Sequence, residues 1–273
     1  PSLKLVIQSD KSITKLSISY QSIVTGKAAL NKLVEILDTK INSDENNVLK
    51  QTFTQQIEIK NLSFYYENVH EKIFQNLNLK ITKGNFIGIK GESGAGKSTL
   101  VDLLLGILKP NEGNIYLDGK KIEKQAILNL KIGYVPQDNI ILDDTISNNI
   151  AIGINKDQID NKKLDKAIEL SNLKEFIKIL PKGLETSLSE KGIRLSGGQR
   201  QRICIARSLY LEPEILILDE ATSGIDIETE KKILEDLRRI KNLNTIILIS
   251  HRKESMIYCD QIFELKNKKI NKI

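Results

Sequence analysis

Apolar residues recur at intervals of three and four near the beginning of the chain and predict a long amphipathic helix. They are Ile13, Leu16, Tyr20, Ile23, Leu30, Val34 and Leu37. This spacing places side chains on one face of an α-helix, so that face would be apolar. We expect the helix to occupy residues 1–38 and the polar stretch 39–55 to be a linker.

Short segments with a strand-like composition follow the linker and predict that a folded domain begins at residue 56. The segments are 57–63, 73–81, 86–90, 114–117 and 132–135. From about residue 139 to 189 the apolar residues instead recur with helical spacing. The domain is therefore expected to open with strands and to continue with a helical region.

Two uninterrupted apolar runs lie in the last third of the chain, at 215–218 and 246–249. A charged helix is predicted between them at 228–240, and another helix is predicted from Gly198. Apolar runs of this length bounded by helices are typical of parallel strands that are buried on both faces. The pattern thus predicts an α/β fold with a parallel sheet.

Composition limits the class of protein. Of the 273 residues, 40% are hydrophobic and 28% are charged, which favours a globular domain over a disordered chain. No apolar run approaches the roughly 18 to 20 residues of a membrane-spanning helix, and the first residues lack the order of a signal peptide. We expect this stretch of chain to be soluble by itself.

Charge and cysteines add little to this picture. The net charge of +6 suits a nucleic acid or an anionic membrane surface but favours neither strongly. Part of the charge is in a short basic tail, of the kind that is usually solvated: Lys266, Lys268, Lys269 and Lys272. Cys204 and Cys259 have neither metal-ligand spacing nor a disulfide pattern, so we expect no zinc and no disulfide.

A glycine-rich loop after the predicted strand 86–90 fits the phosphate-binding pattern. Its residues are Gly91, Glu92, Ser93, Gly94, Ala95, Gly96, Lys97, Ser98 and Thr99. The glycines allow backbone N–H groups to turn toward phosphates, which side chains would obstruct. We expect Lys97 to neutralise phosphate charge and Ser98 to ligate Mg²⁺ at the start of a helix, predicted here at 100–105.

A pair of carboxylates ends the apolar run 215–218. Asp219, at the strand end, is expected to hold the Mg²⁺ shell through water. Glu220, one residue further, is expected to polarise a water for attack on a γ-phosphate. An isolated Asp-Glu pair would more often be an exposed strand terminus, but the phosphate-binding loop upstream favours the catalytic interpretation.

A second glycine-containing segment precedes the helix from Gly198 and decides the class. It consists of Leu195, Ser196, Gly197, Gly198 and Gln199. This is a second anion-binding helix start, one more than a single nucleotide bound within one chain needs. Here the sequence resembles the ATP-binding cassette family, whose signature motif this segment is similar to. In that family, the signature of one subunit closes over the nucleotide on the other subunit.

The resemblance implies a fold, cofactors and further site residues. The expected fold is α/β: a P-loop NTPase core with a parallel sheet, an antiparallel β subdomain and a helical subdomain inserted at about 139–200, all within an ATPase domain at 56–273. ATP and Mg²⁺ are the implied cofactors. The matching positions are Tyr66 for stacking on adenine, Gln137 for contact with Mg²⁺, Ser223 and Asp226 of the D-loop, and His251 for contact with the γ-phosphate. Gly224 stands where the family usually has alanine.

Two segments resemble exporters of this family in particular. Residues 186–192 are similar to a short exporter segment that contacts the membrane domain. The predicted helix at 1–38 resembles the cytoplasmic end of the last membrane helix of exporters that carry both parts in one polypeptide. The implied partners are a transmembrane domain of the same polypeptide and a second identical chain in a head-to-tail ATP sandwich, without nucleic acid. The implied location is the cytoplasmic face of the inner (plasma) membrane.

Other functions remain open at this point. ATPases of DNA repair insert a very long coiled coil between the two glycine motifs, where this chain has about a hundred residues, and ribosome-associated members carry two cassettes. A cassette that binds nucleotide without hydrolysis often lacks the base or the histidine, and here Glu220 and His251 are both present. The substrate is not determined: a faint likeness at Pro1–Leu30 to lipid-linked oligosaccharide flippases stands against export of peptides, lipids or drugs.

Overall fold

Two β-sheets organise the computed structural model. The structure describes residues 53–67, 71–122, 130–188, 195–241 and 244–273. The predicted helix at 1–38 lies outside the described residues, as does most of the predicted linker.

The described part of the chain contains strands at both ends and a run of helices between residues 146 and 210. The strands are β1 (Gln56–Phe64), β2 (Phe74–Thr82), β3 (Phe86–Gly91), β4 (Glu112–Leu117), β5 (Lys120–Ile122), β6 (Ile132–Val135), β7 (Ile215–Asp219), β8 (Thr245–Ile249), β9 (Gln261–Lys266) and β10 (Lys269–Lys272). The helices are α1 (Lys97–Leu104), α2 (Ile146–Ile150), α3 (Asn161–Leu170), α4 (Lys174–Lys178), α5 (Gly197–Tyr210), α6 (Ile227–Ile240) and α7 (Lys253–Met256). Helix α1 thus begins at Lys97, three residues before the predicted start.

The larger sheet has six strands in the order β10-β9-β3-β8-β7-β6. Strands β9, β3, β8, β7 and β6 are parallel, and β10 pairs with β9 as an antiparallel edge strand. The smaller sheet is antiparallel, in the order β2-β1-β4-β5. The parallel sheet, the antiparallel sheet and the helical region confirm the predicted α/β fold class.

Successive side chains of β7 and β8 point to opposite faces of the sheet and therefore belong to two separate hydrophobic cores. Ile215 and Ile217 belong to a core shared with the antiparallel sheet and α1, whereas Leu216 and Leu218 belong to a core shared with helices α2, α3, α5 and α6. All ten residues of these two strands are buried. Because both faces are covered, the runs carry no polar alternation before Asp219.

The chain joins the core before the predicted domain start at residue 56. Phe53 is fully buried in the core that lines the antiparallel sheet. The carboxylate of Asp118 accepts hydrogen bonds from the backbone N–H groups of Thr54, Gln55 and Gln56 at 2.7 to 2.8 Å and from the Thr54 hydroxyl at 2.6 Å. Residues 53–55 are thus fixed onto the domain.

The basic tail belongs to a β-hairpin, in which Lys266, Lys269 and Lys272 are exposed as expected. Lys266 ends β9 and Lys269 begins β10, and Asn267 and Lys268 make the turn with φ angles of 50° and 62°. Phe263, Leu265 and Ile270 are buried within the hairpin. The alternation of these apolar residues with charged and polar residues is typical of a hairpin at the edge of a sheet, with one side buried and the other exposed.

Candidate functional site

The carboxyl ends of four neighbouring strands bring the predicted site residues together. Ile89 of β3 pairs with Ile249 of β8, and Ile249 pairs with Asp219 of β7. Val135 of β6 pairs with Leu218 on the other side of β7. Since parallel strands at this register end at one edge of the sheet, the loops that follow them meet there.

One open cleft of about 520 Å³ lies at this edge. Its lining residues are Ile73, Gly91, Glu92, Ser93, Gly94, Gly96, Lys97, Ser98, Thr99, Gln137, Asp219, Glu220 and His251. Ala95 instead packs against the hydrophobic core. Ile73 was not predicted as a site residue, and its position directly before the buried start of β2 gave no signal of this role.

Backbone geometry explains two glycines of the loop. Gly94 and Gly96 have φ angles of 79° and 97°, which glycine adopts without strain. A Cβ atom at position 96 would also lie 2.8 Å from Cγ2 of Ile73. Gly96 is the N-cap of α1 and no side chain caps this helix, so the first N–H groups of α1 are suited to donate to an anion at the cleft.

The ammonium group of Lys97 lies over the loop from which the helix starts. Its Nζ donates hydrogen bonds to the carbonyl oxygens of Gly91 at 3.0 Å and Glu92 at 3.1 Å. The same nitrogen lies 3.8 Å from Oε1 of Glu220. A cation in this position is suited to neutralise phosphate oxygens that the loop holds.

Glu220 is held in an unusual backbone conformation. Its φ angle is 49°, in the left-handed region, which costs a residue with a Cβ about 1 to 3 kcal/mol. The surrounding structure fixes it, because its N–H donates to the Ile249 carbonyl at 3.0 Å and its carbonyl accepts from the Ser223 N–H at 3.1 Å. Its Oε1 lies 3.8 Å from Nδ1 of His251, whose ring is 63% exposed.

Asp219 is the most buried ionisable group of the cleft, at 5% exposure. Burial raises its pKa, while a hydrogen bond from the Tyr134 hydroxyl at 3.3 Å acts in the opposite direction. Burial and the charge of Asp219 together raise the pKa of Tyr134 to about 12, so the phenol stays a donor. Sequence reasoning missed Tyr134, although it stands three residues before Gln137 on the strand beside β7.

Tyr66 contacts the cleft through Thr99. Its hydroxyl lies 3.2 Å from Oγ1 of Thr99, and its ring meets the Phe64 ring edge-on with centroids 5.0 Å apart. Tyr66 as a whole remains 40% exposed. An exposed aromatic face fixed from behind is suited to stack on a planar base.

The segment Leu195–Gln199 lies away from this cleft, since none of its residues lines it. Ser196 is the N-cap of α5: its Oγ accepts from the Gln199 N–H at 3.2 Å, and Oε1 of Gln199 accepts from the Ser196 N–H at 2.8 Å. This reciprocal capping box fixes the loop at the helix start. Gly197 lines a second cleft of about 360 Å³, together with Gln137.

The predicted D-loop connects Glu220 with helix α6. Asp226 caps that helix by accepting a hydrogen bond from the Thr229 N–H at 3.0 Å, and this bond lowers the pKa of Asp226. Ser223 receives a hydrogen bond from Gln201 of α5 through its hydroxyl. The loop therefore contacts both the end of β7 and the helix that follows the second glycine motif.

A comparison with protein-family models identifies the relatives of this chain. The family described as "ABC transporter" matches residues 74–223, which is more than half of the chain and includes both glycine motifs. This chain belongs to the ABC transporter family. Membership in the family implies that the chain binds ATP.

Curated ABC transporter relatives match nearly the whole chain but extend well beyond it. A Rickettsia typhi protein named as an export ATP-binding/permease protein is 40% identical over 247 residues, covering 89% of this chain and 42% of the relative. An "ATP-dependent lipid A-core flippase" of Photorhabdus laumondii is 35% identical over 259 residues, covering 94% of this chain and 44% of the relative. The chain spans less than half the length of these relatives.

A solved structure supports the same assignment. This chain is similar to a bacterial Atm1-family ABC exporter with ATP bound, with a TM-score of 0.79 and 33% identity. The similarity covers 93% of this chain and 45% of the exporter. Within the described residues of this ABC transporter chain, we find no helix that is long and apolar enough to cross a membrane.

Proposed function

We propose that this chain is the ATP-hydrolysing part of an ABC exporter. The observation that carries the proposal is the single cleft in which the phosphate-binding loop, Asp219, Glu220 and His251 converge. Relatives named as export proteins and flippases support the transport part of the proposal.

The phosphates of ATP fit the loop by charge and by hydrogen-bond direction. The N–H groups at the start of α1 donate to phosphate oxygens, and Lys97 adds a positive charge close to them. The adenine stacks on the exposed face of the Tyr66 ring, which holds it in place. Together these groups bind ATP without taking part in bond breaking.

The residues present suit Mg²⁺ by the chemistry of their donor atoms. Ser98, Gln137 and Asp219 offer a hydroxyl, an amide and a carboxylate oxygen to one cleft, and oxygen is the donor that Mg²⁺ prefers. Among the described residues, no three His, Cys, Asp or Glu side chains are grouped so that they could hold a metal by themselves. The ion, when bound, supplies charge neutralisation at the phosphates. Asp219, which accepts a hydrogen bond from the Tyr134 hydroxyl, would orient the ligands around the ion.

Glu220 is the proposed general base. Its carboxylate accepts a proton from a water molecule as the water oxygen attacks the γ-phosphorus, the bond from that phosphorus to the bridging oxygen breaks, and ADP and phosphate leave. The neighbouring His251 donates a hydrogen bond to the γ-phosphate and lies 3.8 Å from the same carboxylate oxygen. The fixed backbone of Glu220 holds its carboxylate in one place during this transfer.

A second identical chain completes each site. None of the residues Leu195–Gln199 lines the cleft of its own chain, so the proposal assigns the signature to the nucleotide of a partner in a head-to-tail arrangement. Since the phosphate side and the signature side are both intact in sequence, two copies would form two competent sites.

The membrane part is proposed to belong to the same polypeptide. The export protein and the flippase extend over more than twice the length of this chain, which leaves room for a transmembrane domain at the cytoplasmic face of the inner (plasma) membrane. The relatives named lipid A-core flippases favour flipping of a lipid-linked oligosaccharide as a more specific candidate. Export of a peptide, another lipid or a drug is the alternative.

A mixing experiment tests the shared-site proposal. Lys97→Ala removes the phosphate side of a site and Ser196→Arg removes the signature side, so each variant alone forms no competent site. In a mixed dimer, the intact loop of one chain faces the intact signature of the other. We expect ATP hydrolysis by the mixture to exceed clearly that of either variant. Mixtures that stay inactive although both variants fold and dimerise would contradict the proposal.

A further inference from the structure

Two polar side chains from different parts of the chain hold the loop Ser223–Asp226 by hydrogen bonds. Gln201 reaches it from α5, the helix that starts with the signature, and Arg252 reaches it from the position directly after His251. Neither residue belongs to the motifs that the sequence singled out. The loop between them starts three residues after Glu220.

Gln201 uses both ends of its amide on this loop. Its Oε1 accepts a hydrogen bond from the Gly224 N–H at 2.8 Å, and its Nε2 donates to the Ser223 hydroxyl at 3.3 Å. The side chain is 5% exposed. Two opposed hydrogen bonds in a buried place fix the orientation of the amide and hold the loop backbone at a set distance from α5.

Arg252 makes its contacts with two different nitrogens. Nη2 donates to the Ser223 carbonyl at 2.6 Å, and Nη1 pairs with Oε2 of Glu230 at 2.6 Å. Glu230 is 4% exposed, and its other carboxylate oxygen accepts from the Ser255 hydroxyl at 2.7 Å. Because the guanidinium is a planar fork, its pairing with Glu230 fixes the direction in which it holds Ser223.

Gly224 fits the close contact between the loop and α5 because it has no side chain. A Cβ atom at position 224 would lie 3.0 Å from Oε1 of Gln201, and a Cβ at Gly198 would lie 3.1 Å from the Gly224 carbonyl oxygen. The loop and the start of α5 thus approach each other so closely that a Cβ atom at either position would force its neighbour to shift slightly. The glycine that departs from the usual family pattern gives Gln201 access to the backbone.

We propose that Gln201 and Arg252 are positioning residues for hydrolysis. Their hydrogen bonds fix the position of the segment after Glu220 relative to His251 and to the signature helix. The inference rests on the proposed function, since it concerns the rate of the same reaction. Neither residue lines the ATP cleft. Their loss therefore changes the chemical step and leaves the binding of ATP to one chain intact.

The test compares three variants of the 273-residue chain. Gln201→Met keeps the length of the side chain and removes both hydrogen bonds, and Arg252→Lys keeps the charge and removes the fork. Arg239→Lys is the matched control, because Arg239 is exposed and pairs only with Asp236 of its own helix among the described residues. Gln201→Glu, which keeps the acceptor for Gly224, replaces Gln201→Met if that variant does not fold.

Two measurements separate positioning from a merely structural role. We expect kcat for ATP to fall about tenfold or more in both variants, as for small misplacements of reacting groups, with KM unchanged within about twofold and the control like the parent chain. Amide hydrogen exchange without nucleotide is expected to become faster at residues 223–226 in both variants. Unchanged exchange there, or faster exchange with an unchanged kcat, would overturn the inference.

The same design distinguishes a failure of the proposed function. A parent chain that hydrolyses no ATP at any concentration would contradict the proposed function and, with it, the kinetic part of the inference. The exchange measurement then still decides whether Gln201 and Arg252 hold the loop. A parallel loss of kcat, ATP affinity and thermal stability would assign the two residues to folding alone and overturn positioning.

Discussion

Oε1 of Glu220 lies 3.8 Å from Nζ of Lys97, across the cleft edge where β3 and β7 end. The two side chains have opposite charge and, in the proposed reaction, separate tasks: Lys97 binds phosphate and Glu220 accepts a proton. Binding and hydrolysis should therefore respond to different substitutions.

Removing the Glu220 carboxylate should separate these two steps. We expect Glu220→Gln to slow ATP hydrolysis by roughly a hundredfold or more, the scale of losing a positioned base. ATP affinity should stay close to that of the parent chain, because Tyr66, Lys97 and Ser98 are unchanged. Single-turnover hydrolysis and equilibrium binding of ATP measure the two effects. Glu228→Gln, an exposed change in the first turn of α6, is the control, and near-normal turnover by Glu220→Gln would move the role of base to His251.

Concentration should govern the activity of the isolated chain. Two chains must meet across highly charged phosphates without a membrane domain to hold them together, so the effective concentration of the partner is low. We expect ATPase activity per chain to rise with chain concentration, with light scattering showing dimers appear in parallel. A strictly monomeric chain with constant activity per chain would contradict shared sites.

Substitution of glycines in the phosphate-binding loop should weaken ATP binding. Gly94 and Gly96 lie in the loop, and Gly153, outside it, is the matched control. All three have φ between 77° and 97°, but an added Cβ meets Ile73 only at position 96. Gly94→Ala and Gly153→Ala should each lower the free energy of unfolding by about 1 to 2 kcal/mol, and Gly96→Ala by more. Only the changes at 94 and 96 should weaken ATP binding, since Gly153 lies outside the cleft. Equal ATP affinity in all three variants would count against the assigned loop.

Asp118 should make the free energy of unfolding depend on pH in the acidic range. Burial opposes its charged form, but the Thr54 hydroxyl and the N–H groups of Thr54, Gln55 and Gln56 outweigh it and hold the pKa of Asp118 at about 2. A pKa below the unfolded value of about 4 means that this stabilisation is present above pH 4 and is lost as the pH falls toward 2. Asp118→Asn should therefore be less stable at pH 7 and lose less between pH 4 and 2 in denaturant unfolding. An unchanged slope in that range would argue against the role of Asp118.

Local patterns were enough to predict most of the fold. The strands β1 to β4 and β6 to β8 follow from apolar segments bounded by turn residues, and the start of α5 follows from its glycines. Strands β9 and β10 were missed because the lysines at their turn and in β10 suggest a solvated tail, whereas pairing of β9 with β3 places Phe263 and Leu265 in the core. The partner strand that fixes β9 in the sheet is about 175 residues away in sequence, so no local pattern connects the two.

In the site, too, residues within a continuous motif could be predicted, whereas residues that act on distant parts of the chain could not. The loop Gly91–Thr99 is a continuous motif, so its place beside Asp219 and His251 could be anticipated. Tyr134, Gln201 and Arg252 act through residues that are remote in sequence, and no local spacing connects them with their partners. Their contributions became visible only once the strands and α5 were assembled.

The anchored segment Phe53–Gln56 has a mechanical consequence. A force that pulls on the backbone ahead of Phe53 meets a buried ring and four hydrogen bonds to Asp118 before it reaches β1. These bonds must shear together, because one carboxylate accepts all of them. Displacement of the chain at this point is therefore transmitted to the antiparallel sheet as a rigid load, with little slack to absorb it.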